Sequence, residues 1–320
     1  MLKINPKPTF VISLDFELFW GVIRSRSVED YQNNVFGVED AIPAIIDVFN
    51  EYQIKATWAV VGSILCDSFN EWNELINEFY FDYSIFKDNE IKKIIKNNPR
   101  LFFNKKLVKL IKSSSSQELA SHTFAHYEVE NIESDKSNFR KDMILNNIVM
   151  NENSIIPNSI VFPRNIIDKT LISSLPELGI KTFRGNQNHF LYKDGDKVPF
   201  GLVGKGLRYL DSSFNLSGSN PSFASETDGV INIPSTYFLR PISGSNARSV
   251  VNYQRLRRIK NYMTQAAKTN GMFHIWWHPH NFGNDLKENI YFLNQILDHF
   301  IVLKSKYKMV SATMDDFFIS

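Results

Sequence analysis

The chain has 320 residues, 43% hydrophobic and 13% aromatic, with 36 basic against 34 acidic residues and a net charge of +2. That is ample material for a large core, and the balanced charge gives no electrostatic basis for binding nucleic acid or an anionic membrane. A single cysteine, Cys66, excludes an intrachain disulfide framework and fits a reducing compartment, where it reads as a core residue rather than a nucleophile.

Met1–Pro8 lacks the apolar segment of a signal peptide, and no stretch of about 18 uninterrupted apolar residues occurs, so the expectation is a cytoplasmic protein with no membrane span. In chain order, Phe10–Leu14 reads as a short buried strand that runs into Asp15 and Glu17. Gly21–Phe36 reads as a loop. Val38–Tyr52 has apolar residues at helical spacing, with Glu39 and Asp40 where the helix dipole favours anions. Lys55–Val61 is a second strand, and strand–helix–strand predicts a βαβ unit in a parallel sheet.

Residues 66–117 break the alternation. They read as a helical insertion, with helix-like segments at Asp88–Asn97 and Asn104–Ser113, and as a candidate lid. Order resumes with a strand at Glu118–His122, a helix from about Ser134 to Asn151, and a strand at Ser159–Pro163. A helix at Lys169–Leu178 and a strand at Gly179–Arg184 follow. Gly185–Ser225 reads as loop, Gly229–Pro234 as a strand, and Ser249–Thr269 as an amphipathic helix ended by Asn270 and Gly271. On that helix the basic run Arg255–Lys260 reads as a solvated face. Met272–Trp277 (strand), Leu286–Tyr307 (helix) and Met309–Ala312 (strand) complete a single α/β domain over 1–320, either a barrel or an open sheet.

The chemistry-bearing residues gather just past the predicted strands. Asp15 and Glu17 are two apart on an extended backbone and so project to the same side. Four of the seven histidines fall in two clusters, His122/His126 and His278/His280. Two histidines four apart share a face if the segment is one helical turn, and with a carboxylate they can hold a divalent metal with coordination positions left open. Taken singly, a strand-end acid pair is a solvated edge and an H-x-x-x-H pair is core or surface; it is the combination that points to a site. His278 can supply a proton near neutral pH. Either His280 caps the strand end or it has a role in the site. Trp276 and Trp277 alternate sides, so one should be core and the other should line a pocket.

The series S-L-D-x-E, S-H-T-x-x-H, F-P-R-N and W-H-P-H, with Tyr52–Trp58 before the second strand, resembles the polysaccharide deacetylase (NodB-like) family of carbohydrate esterases. The similarity runs over about residues 9–184 and resumes at 272–283. It implies an irregular (β/α) barrel with fewer than eight repeats and metal-dependent removal of an N-acetyl group from an amino sugar or glycan precursor, with zinc the expected ion. It also implies roles: Asp15 as catalytic base, Glu17, His122 and His126 as metal ligands, and His278 as general acid. Arg164 stands in an altered motif, Pro163-Arg164-Asn165, which leaves open whether it orients Asp15 or contacts substrate. Arg184 is open to the same two roles or to a structural ion pair. Trp20, Arg184, Trp277 and His280 complete the expected substrate-binding set. A nucleotide-linked or lipid-linked sugar precursor suits a cytoplasmic enzyme better than finished polymer does. Three alternatives stand beside this reading: a metal-independent barrel glycoside hydrolase, whose paired carboxylates flank the scissile bond, a hydrolase of a ring amide on the deacetylase-like fold, and a degenerate barrel that binds glycan without catalysis.

Overall fold

All eight residues of β1 (Thr9–Phe16) are buried, and the sheet is assembled around this strand. The computed structural model describes residues 7–79, 87–128, 132–197, 199–215, 217–218, 221–242 and 249–319. The further strands are β2 (Ala56–Val60), β3 (Gln117–Ser121), β4 (Ser159–Ile160), β5 (Thr182–Phe183), β6 (Ser225–Thr227), β7 (Val230–Asn232), β8 (Tyr237–Phe238), β9 (Met272–Trp277) and β10 (Val310–Ala312). They lie in the order β6-β7-β5-β4-β3-β2-β1-β9-β8, parallel except for the β6–β7 hairpin, and β10 pairs with the first half of β1.

One run of chain joins the two ends of this sheet. After β7, the Ile233 N–H donates to the Phe183 carbonyl (2.9 Å) and Ser235 N–H to Gly185 (2.8 Å). The next residue then changes partner: Thr236 N–H donates to His274 (2.7 Å) and Leu239 N–H to Trp276 (2.9 Å). The sheet therefore curls into the irregular barrel that the motif resemblance implies.

Strand parity sorts the side chains. Phe10, Ile12, Leu14 and Phe16 of β1 and Phe273, Ile275 and Trp277 of β9 join the large core between sheet and helices. The alternate residues face inward, where Val11, Ala59, Ala120, Val161 and Ile233 form a second cluster with Phe317 at its base. Above that apolar plug the inward positions turn polar: Ser13, Asp15 and then Glu17 on the first strand, His274, Trp276 and His278 on the ninth. Small residues at 13, 59 and 120 leave room there for functional side chains.

Several elements differ from the sequence expectation. Gly21–Phe36 is not all loop, because Ser27 caps a helix over Val28–Phe36 by accepting from the Asp30 N–H. Within 185–225 a helix spans Gly201–Phe214; Gly201, Gly204 and Gly206 lower its intrinsic propensity and hid it. Pro176 divides the predicted 169–178 helix into Lys169–Ile172 and a separate turn. The 66–117 segment forms helices at Phe69–Glu78, Asn89–Asn97 and Lys105–Ser113 in the connection from β2 to β3. It packs into the core, with Trp72 and Phe102 against Trp20 at centroid distances of 5.4 and 5.1 Å. The basic run is not a solvated face either: Arg255 and Arg258 turn inward and are 8% and 5% exposed. Cys66 is buried, as expected of a core residue. Among the described residues no helix is long and apolar enough to cross a membrane.

At the closed end of the barrel, Glu118 Oε2 accepts from Thr57 Oγ1 (2.6 Å) and the Asp315 N–H (3.1 Å), while Oε1 is buried without a partner among the described residues. Burial pushes this carboxyl up to about 7, against the pull of its hydrogen bonds. A carboxyl raised in the folded state stabilises fully below its unfolded pKa, and that contribution is lost as pH rises through the folded value. Glu118→Gln is therefore expected to be more stable than the wild type at pH 8, by about 1–3 kcal/mol. The advantage should close towards pH 4.5; melting temperatures of both proteins across pH 4–9 measure it. A constant difference over that range would remove Glu118 as the cause.

Candidate active site

The site lies at the C-terminal ends of β1, β3, β5 and β9. On the first strand Asp15 and Glu17 share a side, and the structure gives them different neighbours. Arg184, just past β5, forms a two-pronged pair with Asp15: Nη1 to Oδ1 and Nη2 to Oδ2, both 2.7 Å. Asn165 Oδ1 accepts from Arg184 Nη2 and Nε (2.8 and 3.2 Å), and Ser13 Oγ accepts from Nη1 (2.9 Å). The Trp276 ring lies 4.3 Å from the guanidinium carbon. Both ions are buried, so the geometry of the pair and its extra hydrogen bonds offset the desolvation cost.

Beneath the pair, Ser13 Oγ lies 2.9 Å from His274 Nε2, and His274 Nδ1 lies 3.2 Å from the Ile233 carbonyl. Burial first, then the Arg184 charge, holds the His274 imidazole down at about 3, so it is neutral. Its Nδ1–H donates to Ile233, Ser13 O–H donates to Nε2, and Ser13 oxygen is left to accept from Arg184. Burial works to raise the Asp15 carboxyl, and the charges of Arg184, His122 and His278 outweigh it, leaving Asp15 below its usual value.

Glu17 faces histidines instead. Its Oε2 is 3.4 Å from His122 Nε2 and 3.1 Å from His126 Nε2, and its Oε1 is 3.5 Å from His278 Nε2. Burial pushes Glu17 up, but the His278 and His126 charges and the hydrogen bonds with His122 and His126 bring it well below the carboxylate range. His122 Nδ1 donates to the Val161 carbonyl at 2.8 Å, so Nε2 is the ring atom turned to the carboxylate. Two lone pairs at that distance repel unless a proton or a cation lies between them. One donor atom from each of Glu17, His122 and His126 lies within 4.8 Å of the others, and the donor set suits zinc.

The two histidines do not sit on a helical turn. His122 to His126 is a loop with positive φ at Thr123 (64°) and His126 (52°), a strained route that brings the two rings to 5.1 Å. Asp142 holds it by accepting from the N–H groups of Phe124 (2.6 Å) and Ala125 (3.2 Å), and Thr123 Oγ1 accepts from Tyr127 N–H (2.7 Å). Gly21 matters for a similar reason, since a Cβ there would collide with the Glu17 carboxylate.

The remaining expected site residues separate into near and far. His278 is here, with Nε2 3.9 Å from Asp15 Oδ2, and its ring stacks on that of His280 at 5.0 Å. His280 is buried beneath it and meets Tyr31 edge-on. Arg164 is not on Asp15: it is half-exposed and pairs with Glu128 Oε2 (3.0 Å) and Asp196 Oδ2 (3.3 Å), so Arg184 makes the contact considered for either arginine. Trp20 is buried in the helical core, donates to the Phe102 carbonyl (2.9 Å) and does not line the cavity. Trp277 is on the outer face against Phe49 and Phe282, while Trp276 lines the cavity. Ser13, His274, Asn165 and Asp142 escaped the sequence reading. Parity on the first and ninth strands would have flagged Ser13 and His274.

A buried Glu-His-His group, an arginine-clamped aspartate and an adjacent histidine thus gather at the strand ends of a barrel of the polysaccharide deacetylase type. The polysaccharide deacetylase family model matches residues 30–183, a stretch that includes His122 and His126. No curated protein sequence matches the chain. Among solved structures, a Mycobacterium smegmatis protein assigned to the polysaccharide deacetylases superposes with TM-score 0.60 at 11% identity, covering 98% of this chain and 90% of that one. A Pseudomonas aeruginosa PAO1 protein of the same assignment gives 0.58 at 11%, covering 99% and 91%. The α-amylase AmyC from Thermotoga maritima gives 0.57 at 10%, covering 98% and 75%. At such identities the likeness is one of fold, and the fold alone does not separate deacetylation from glycoside hydrolysis.

Proposed function

We propose that the protein is a metal-dependent carbohydrate N-deacetylase, hydrolysing the acetamide of an amino sugar to acetate and a free amine. The observation that carries this is the meeting of Glu17, His122 and His126 donor atoms within 4.8 Å, with Asp15 and His278 beside them. A divalent cation held by those three side chains, zinc by the chemistry of the donors, would supply Lewis acidity to a water and to the acetyl carbonyl.

The protein's own groups supply the rest. Asp15, kept ionised by Arg184, accepts a proton from the attacking water. The water oxygen bonds to the acetyl carbon, the C–N bond breaks, and the amine nitrogen leaves with a proton from His278. Transfer of the Asp15 proton to His278 through solvent returns both groups to their starting states. Trp276 offers an apolar face to a sugar ring at the cavity wall.

A metal-independent glycosidase needs one carboxylic acid that keeps its proton near neutral pH. Both candidate carboxyls are instead lowered, which counts against that alternative. The test is acetate release from a panel of N-acetylated sugars with and without chelator, alongside metal analysis of the purified protein. Release that stops with chelator and returns with zinc supports the reading. A protein that refuses zinc, or one indifferent to chelator, sinks it, and a metal-free protein that binds glycan without releasing acetate would favour the degenerate barrel.

A second expectation concerns the cradle of the metal. Gly21→Ala should displace the Glu17 carboxylate and weaken zinc binding by about 10–100-fold, as losses around metal ligands do. Competition with a chromophoric chelator measures it; an unchanged affinity would mean that Glu17 is not a ligand.

A further inference from the structure

A cavity of about 510 Å³ opens beside His278 and Trp276 and extends away from the acetamide-cleaving groups. Its far wall is unusually cationic. Lys205, Arg208, Arg240 and Arg258 line it, and Arg255 packs near the Tyr209 ring of the same wall. Arg240 and Arg255 both lie close to that ring, at 5.6 and 5.5 Å. Of the two aspartates at the wall, Asp196 pairs with Arg164 (3.3 Å) and Asp211 with Arg258 (2.9 Å). Among the described residues, Lys205, Arg208 and Arg240 have no carboxylate partner within ion-pair distance. Among the described residues Arg208 donates to the carbonyls of Leu191 and Gly195, both at 2.6 Å.

The second observation is independent of surface charge. Arg258 is 5% exposed, and its Nε and Nη1 are buried with no hydrogen-bond partner among the described residues; the Nε of Arg255 is in the same state. Buried guanidinium N–H groups without an acceptor cost free energy, and a cluster of like charges adds to it. Burial, with Arg255 alongside, lowers the pKa of Arg240, and burial lowers that of Arg208. A doubly charged, oxygen-rich ligand would relieve both costs, because arginine forks match phosphate geometry. A neutral polysaccharide would relieve neither.

We propose that this cationic end of the cavity is a phosphate subsite, so that the substrate is an N-acetylated sugar carrying a phosphate or diphosphate ester rather than a neutral glycan. The proposal rests on the deacetylase reading only for the sugar; the anion site stands on its own residues. A glycosyl phosphate has the required shape, with the ester group in the arginine wall and the ring against Trp276. The same chemistry occurs in nucleotide-linked and lipid-linked sugars.

The test has a binding arm and a turnover arm. Calorimetry with inorganic pyrophosphate and with N-acetylglucosamine 1-phosphate, on the zinc-loaded protein, should detect binding that weakens with salt. Arg240→Gln and the exposed Lys205→Ala should each weaken it roughly tenfold or more, the loss expected for one charge-assisted contact. In turnover, both variants should lower kcat/KM for N-acetylglucosamine 1-phosphate by a larger factor than for N-acetylglucosamine. Preference for a nucleoside-diphosphate sugar or for a polyprenyl-diphosphate sugar then names the source. Pyrophosphate binding without acetate release from any substrate keeps the anion site and removes the deacetylase reading. No pyrophosphate binding, or equal kcat/KM for charged and neutral sugars in wild type and both variants, overturns the phosphate subsite.

Discussion

Asp15→Asn is expected to lower acetate release by about 10²–10⁴-fold, the range for loss of a positioned proton acceptor, while bound zinc stays unchanged. The reason is the division of labour between two carboxylates that sit two residues apart. Glu17 Oε2 faces His126 and His122 at 3.1 and 3.4 Å, whereas both Asp15 oxygens are taken by Arg184 at 2.7 Å. The three nearest donors for a cation are therefore complete without Asp15. Asparagine keeps the size of the side chain and one oxygen acceptor but cannot take a proton from water. Acetate assays and metal analysis on the same preparation measure both halves. Loss of zinc along with activity would mean that Asp15 is itself a ligand and that the assigned roles are wrong.

The second large effect is on stability. Arg184 is 1% exposed and Asp15 2%, so Arg184→Met leaves a buried carboxylate without its counter-ion and leaves Ser13 and Asn165 short of a donor. Breaking a buried pair from one side costs about 3–5 kcal/mol. Chemical denaturation should show that loss in Arg184→Met. The double variant Asp15→Leu/Arg184→Met should regain a large part of it, because no unpaired charge remains, though it will be inactive. Arg184→Lys should fall between, since a single ammonium cannot make the two-pronged contact. A wild-type denaturation midpoint for Arg184→Met would show that the pair carries no such weight.

Much of the architecture could be read from the chain because its signals are local. From Phe10 to Leu14 β1 is apolar but for Ser13, the helices at 38–51, 250–268 and 286–307 carry one-sided patterns, and the strand-end motifs stand where a barrel concentrates its chemistry. The missed elements had weak local signals: the helix at 201–214 is rich in glycine, and the helix at 28–36 announces itself only through Ser27. Strand parity on β9 separates Trp276 from Trp277 but does not say which face is the lumen. The expected substrate-binding set has Trp277 at the pocket, and the structure puts Trp276 there. Arg255 and Arg258 looked like a solvated stripe because charge normally stays outside; here the helix turns Arg258 to Asp211 and the cavity, and Arg255 to the Tyr209 ring.

Returning to the first strand, its sequence alone determined that two carboxylates would emerge on one side of a buried strand end, since alternation along an extended backbone leaves no other choice. It also determined that histidines would end the third and ninth strands. Which partner each group meets was decided only by tertiary structure. Arg184 and Arg164 are both basic residues just past strands, and nothing in their neighbours along the chain ranks them. The closing of the sheet sets Arg184 inside, against Asp15, and leaves Arg164 at the cavity wall, paired with Glu128 and Asp196. Bringing residues 15, 165, 184 and 274 into one hydrogen-bonded group is a property of barrel closure, which no local pattern encodes.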